Sequence, residues 1–98
     1  MVRVVGDVEE ECHKNIMIML DILKYSIILD CKIEQDTEII LYHPLYINKL
    51  FDTISDEKIR DEFTIMFKHS TEKTLDALNE YPLIKRKMVK MLWLRPTF

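Results

Sequence analysis

The chain has 98 residues, 48% hydrophobic and 32% charged, with a formal net charge of −3, which is the composition of one globular domain and excludes a disordered chain. Its longest apolar stretch, residues 16–29, is broken by Asp21, Lys24 and Ser26, so no membrane span of about twenty uninterrupted residues can be drawn. The single glycine, Gly6, excludes phosphate-cradling loops, which need several glycines for the backbone to approach an anion.

Val2 to Val5 is a short β-branched run ended by Gly6, and predicts a brief strand. Asp7 then reads as an N-cap with Glu10 three residues on, and the acidic Glu9 to Glu11 suit a first helical turn. No apolar run precedes these acids, so the N-terminal residues do not read as a secretory signal, and a cytoplasmic protein is expected. Val8, Cys12, Ile16, Met19, Leu20, Leu23 and Ile27 recur in steps of three and four, predicting a helix from about Asp7 to Lys24. From Ser26 the period changes to two. Ile27, Leu29, Cys31 and Ile33 alternate with Ile28, Asp30, Lys32 and Glu34, and Ile39 and Leu41 alternate with Ile40 and Tyr42. The pattern predicts an antiparallel hairpin, Ser26–Ile33 and Thr37–Tyr42, about a polar turn.

Pro44 suits the first turn of another helix, with Leu45, Ile47, Leu50, Phe51 and Ile54 as its apolar face. Ser55-Asp56-Glu57 marks a fresh helix start, followed by Ile59, Phe63, Met66 and Phe67. Ser70-Thr71-Glu72 offers a further cap before Leu75, Leu78 and Tyr81, so Ser55 to Glu80 is either one helix or two, and Pro82 ends it. The expected fold is α+β: strand, helix, hairpin, then three or four helices, forming a small sheet with helices on one face. A ferredoxin-like variant would make Met88 to Leu94 a last strand.

Charge divides the single domain into an acidic body, residues 1–80, and a basic segment, residues 81–98. The segment holds Lys85, Arg86, Lys87, Lys90 and Arg95 and no acid, whereas nine Lys and Arg face 17 Asp and Glu before it. As a helix from Leu83 to about Trp93, the tail places Ile84, Met88, Met91 and Leu92 in one stripe. Arg86, Lys87 and Lys90 gather opposite, with Val89 and Trp93 between the faces. Four uses follow for this helix. Its stripe can cover its own domain, or dock a second copy or another protein through Ile84, Met88, Met91, Leu92 and Trp93. Its cations Arg86, Lys87, Lys90 and Arg95 can position nucleic-acid phosphates, or the whole helix can lie on a membrane surface.

Other chemistries find little support. Cys12 and Cys31 both fall on predicted inward positions and read as buried thiols or as a disulfide. Cys12 lies about 20 Å before a turn near Tyr25 at helical rise, and Cys31 about 20 Å after it at strand rise, so the two could meet. His13, His43 and His69 lack metal-ligand spacing, and no cofactor is expected. No serine or cysteine sits in a glycine-lined strained turn, and adjacent carboxylates such as Asp56-Glu57 point to different sides of a helix.

Abundant Ile, Lys and Glu with one Gly and one Gln fit either AT-rich coding or growth at high temperature, a flavour shared by small genomes of archaeal viruses. The functional expectation is a small, non-enzymatic interaction protein for a protein partner or for a second copy as a homodimer. Its alternatives are a nucleic-acid-binding regulator using the basic helix, and a small enzyme with an unrecognised site.

Overall fold

The computed structural model describes residues 1–93, with side chains through Met91. The described residues are 76% helical and contain no strand, which overturns the α+β expectation. Among the described residues seven helices follow one another: α1 (Val8–Lys14), α2 (Ile18–Ile28), α3 (Gln35–Glu38), α4 (Pro44–Thr53), α5 (Asp56–His69), α6 (Thr71–Glu80) and α7 (Pro82–Trp93). A 3₁₀ turn, Ile39–Leu41, joins α3 to α4.

The caps fall where side chains dictate them. Asp7 accepts from the Glu9 and Glu10 amides at the start of α1, and Ser55 accepts from the Lys58 amide at the start of α5. His43 caps α4 through Nδ1, which accepts from the Leu45 amide at 3.2 Å, and Pro44 occupies the position whose N–H would be unbonded in any case. Ser70 settles the 55–80 question as two helices. Its amide closes α5 on the Met66 carbonyl, and its hydroxyl accepts from Lys73 to open α6.

The long helix expected over 7–24 is divided at Asn15, whose backbone is extended (φ −152°). Its side-chain oxygen accepts from the Met17 amide at 3.1 Å, the local alternative by which asparagine competes with a helix. The apolar face nonetheless runs through the break, because Cys12, Ile16, Met19, Leu20, Leu23 and Ile27 are all buried.

The hairpin is replaced by helical backbone. α2 continues through Ser26 to Ile28 and stops in a Schellman motif, with Asp30 left-handed at φ 53°. The Cys31 amide bonds the Ser26 carbonyl at 3.0 Å and the Asp30 amide bonds the Ile27 carbonyl at 3.3 Å. Leu29 and Cys31, inward in the alternating pattern, are exposed. In the second run Thr37, Ile40 and Leu41 are buried at helical steps while Ile39 faces out. A short apolar run does not distinguish the two periods, and here packing chose the helical one. Of the first strand, one parallel bridge remains, Val2 to Ile33, with Val2 bonded to the Lys32 carbonyl and the Glu34 amide, each at 2.8 Å. The ferredoxin-like alternative fails as well, since residues 88–93 are helical.

α2 and α5 form the principal helix pair, α6 packs on both, and α7 closes the bundle against α4 and α6. Phe63, Met19, Leu20, Leu23, Ile59 and Met66 are the centre of the core. No helix among the described residues is long and apolar enough to cross a membrane.

A basic groove between two helices

Pro82 is the first residue of α7 and turns the chain back along α4. Ile84, Met88 and Met91 then face inward and are 1%, 5% and 9% exposed, so these three candidate partner contacts belong to the core of their own chain. Leu92 and Trp93 lie in the last turn of α7 and their side chains fall outside the described residues, as does Arg95 entirely. Lys85 is tied to the corner between α6 and α7, where its Nζ donates to Asn79 Oδ1 at 2.7 Å.

The inward anchoring of Ile84 and Met88 fixes where the remaining cations go. Arg86, Lys87 and Lys90 follow at helical steps along the flank of α7 that faces α4, and line a groove of about 220 Å³. Leu83 lines the same side. Across from it stand Pro44, Ile47 and Asn48, one flank of α4, with the fully buried Ile47 giving an apolar floor. No acidic residue lines this groove, and none of the three cations is in an ion pair among the described residues. Three of the four sequence-predicted phosphate contacts are thus brought together, with α4 as a wall that the tail alone could not reveal. The volume is below the roughly 300–1,000 Å³ of small-molecule pockets and suits one or two side chains of a larger partner.

Larger hollows exist, and in one of them the phenols and carboxylates bond one another. A recess of about 460 Å³ beside α6 is lined by Glu38, Glu80 and Tyr81. Tyr81 donates to Glu38 at 2.6 Å, Tyr42 donates to Glu80 at 2.8 Å, and the two rings meet edge to face at 5.1 Å. Burial, then the carboxylate bond, raises both phenols, Tyr42 to about 12, so they serve as neutral donors tying the 3₁₀ turn to α6. Tyr46 makes a similar tie from α4 to α1, with its hydroxyl 3.3 Å from Glu9 Oε1 and 3.4 Å from His13 Nε2. Among the described residues no group of three or more His, Cys, Asp or Glu is placed to hold a metal ion.

Cys12 is fully buried on α1 and Cys31 is exposed beyond the end of α2, and both are free thiols. The geometry that could have paired them required a strand over 26–33, where the chain is helical to Ile28. Burial pushes the Cys12 thiol up to about 11, so it stays protonated and shielded. A thiol-reactive dye is therefore expected to label one cysteine rapidly in native protein, Cys31, and the second only on unfolding. Equal rates at both sites, or no reactive thiol before reduction, would contradict this placement.

Comparison with family models, with curated proteins and with solved structures finds no match to this chain.

Proposed function

We propose that this chain is a non-enzymatic, cytoplasmic interaction protein that takes an acidic segment of a protein partner into the groove between α4 and α7. The observation that carries this reading is the set Arg86, Lys87 and Lys90, in no ion pair among the described residues and set beside apolar side chains, in a protein whose other charged residues are mostly acidic. Cations without an ion-pair partner among the described residues raise the local potential and steer an oppositely charged segment, while exposed Pro44 and half-buried Leu83 offer contact to an apolar side chain it carries. The cytoplasmic placement rests on the free thiols, a state that reducing compartments maintain.

Nucleic acid is the weaker reading. Three cations span a short stretch of backbone, and the sequence pI of 5.6 surrounds them with charge that repels a duplex. Calorimetric titration with an acidic peptide bearing leucines, against its Asn/Gln counterpart, separates the two. The acidic peptide is expected to bind, and the combined Arg86→Ala, Lys87→Ala, Lys90→Ala variant to weaken it by roughly tenfold or more while keeping its helical signal. Binding of single-stranded DNA with a log–log salt slope of about −2, the value for three phosphates, and none of peptide would replace this reading with the nucleic-acid one.

A further inference from the structure

The chain carries an acidic segment of the kind the groove suits, at a place its own groove cannot receive. Val5 is 86% exposed, more than any other large apolar side chain described. It stands at the turn where Gly6 takes φ +93°, immediately before Asp7, Glu9, Glu10 and Glu11. A hollow of about 360 Å³ beside it is lined by Asp7, Glu9, Glu34 and Asp36, so the acids of α1 and of the α3 region share one face. Among the described residues Arg3 reaches Glu34 at 3.7 Å and Lys14 reaches Glu11 at 3.5 Å, both with the cation mostly in water, while Glu10 and Asp36 are in no ion pair.

α4 separates this face from the groove. Tyr46 points to α1, bonding Glu9 and His13, whereas Pro44 and Asn48 line the groove with α7. Tyr46 and Pro44 are two residues apart, or roughly 200° around a helix of 3.6 residues per turn, so the two surfaces lie on opposite flanks. An acidic, apolar-tipped segment on one side of α4 and a basic, apolar-floored groove on the other are complementary only between molecules.

We infer that the occupant of the groove is the Val5–Glu11 segment of a second copy of this chain. Val5 sits over Pro44 and Leu83, and the carboxylates that follow it face Arg86, Lys87 and Lys90. The contact joins two different surfaces, so it is heterologous and builds a ring or an open chain of copies according to whether its rotation closes. This inference rests on the groove being a binding surface for acidic segments, and adds which segment.

Sedimentation velocity of the full chain, up to about 1 mM and at low and high salt, tests it. Mass is expected to rise above the monomer with concentration, and to return to the monomer in 1 M salt, where the screening length falls to about 3 Å. Val5→Asp and the pair Arg86→Glu, Lys90→Glu are each expected to weaken association roughly tenfold or more, with helical content and Tm unchanged because all three positions are exposed. A chain that stays monomeric yet binds the acidic peptide overturns the inference and leaves the proposed function standing. Association that survives both variants also overturns it, because the copies then meet elsewhere. A monomer that binds no acidic peptide removes both.

Discussion

Lys24→Met is expected to destabilise the protein by about 3–5 kcal/mol, the range seen when one partner of a buried ion pair is removed. Lys24 on α2 donates to Glu62 Oε1 on α5 at 2.9 Å, with Asp21 Oδ1 at 3.6 Å, so the bond crosslinks the principal helix pair. The Glu62 side chain is 7% exposed and that of Lys24 17%. Without the ammonium group, the Glu62 carboxylate keeps, among the described residues, only Lys58, 3.9 Å away and mostly in water, where screening makes an ion pair weak. Against a total of roughly 5–15 kcal/mol for a domain of this size, such a loss lowers Tm by roughly 12–40 °C. Urea unfolding followed by circular dichroism measures it.

The companion variant Lys24→Met, Glu62→Leu separates the cost of an orphaned charge from the worth of the pair. It is expected to regain most of the lost stability, since an apolar pair of similar volume removes the desolvation cost on both sides. A loss below about 1 kcal/mol in the single variant would mean that water reaches Glu62 freely. The bond with Glu62 holds the Lys24 ammonium above its ordinary value of 10.5. Its contribution is therefore complete below that pH and lost as pH rises beyond it. Tyr42 and Tyr81, raised by burial, weaken the fold in the same alkaline direction above about pH 10. Comparing the wild-type and Lys24→Met stability curves above pH 10 isolates the lysine.

Helix starts were legible in the sequence because a cap is a contact between a side chain and backbone two or three residues away. Asp7, Pro44, Ser55 and Ser70 each act where the residue type predicts. Residues 26–42 were not legible, for a specific reason. Their isoleucines and leucines satisfy period two on paper, and the deciding observations are a left-handed Asp30 and the burial of Thr37, Ile40 and Leu41 against other helices. Neither follows from local pattern. Asn15 is an intermediate case, since the residue type announces a competing hydrogen bond but the uninterrupted apolar stripe masks the break.

The groove divides in the same way. That Arg86, Lys87 and Lys90 gather away from Ile84 and Met88 follows from helical period alone. That α4 forms the opposite wall depends on tertiary packing, as do the ties from Lys24 to Glu62 and from Tyr81 to Glu38, whose partners are 38 and 43 residues apart. Polar residues at such separations carry no period. Leu45 shows the converse error, an apolar residue assigned inward that is 60% exposed while its neighbour Tyr46 takes the core position.

Ile84→Ala is expected to cost about 2–5 kcal/mol, because the side chain is 1% exposed and its removal loses transfer free energy and leaves a cavity. Val89→Ala, on the same helix but 44% exposed, is expected to stay within about 0.5 kcal/mol. The contrast tests the docking of α7 independently of any ligand. The groove has α7 as one wall, and its three cations are aimed only because Ile84, Met88 and Met91 are seated in the core. Should Ile84→Ala and Val89→Ala prove equally mild in denaturant unfolding, α7 is not seated, and the cations form no groove. Should the difference be as large as expected, the surface changes at Arg86 and Lys90 can be read as binding effects, because the stripe beneath them carries the stability.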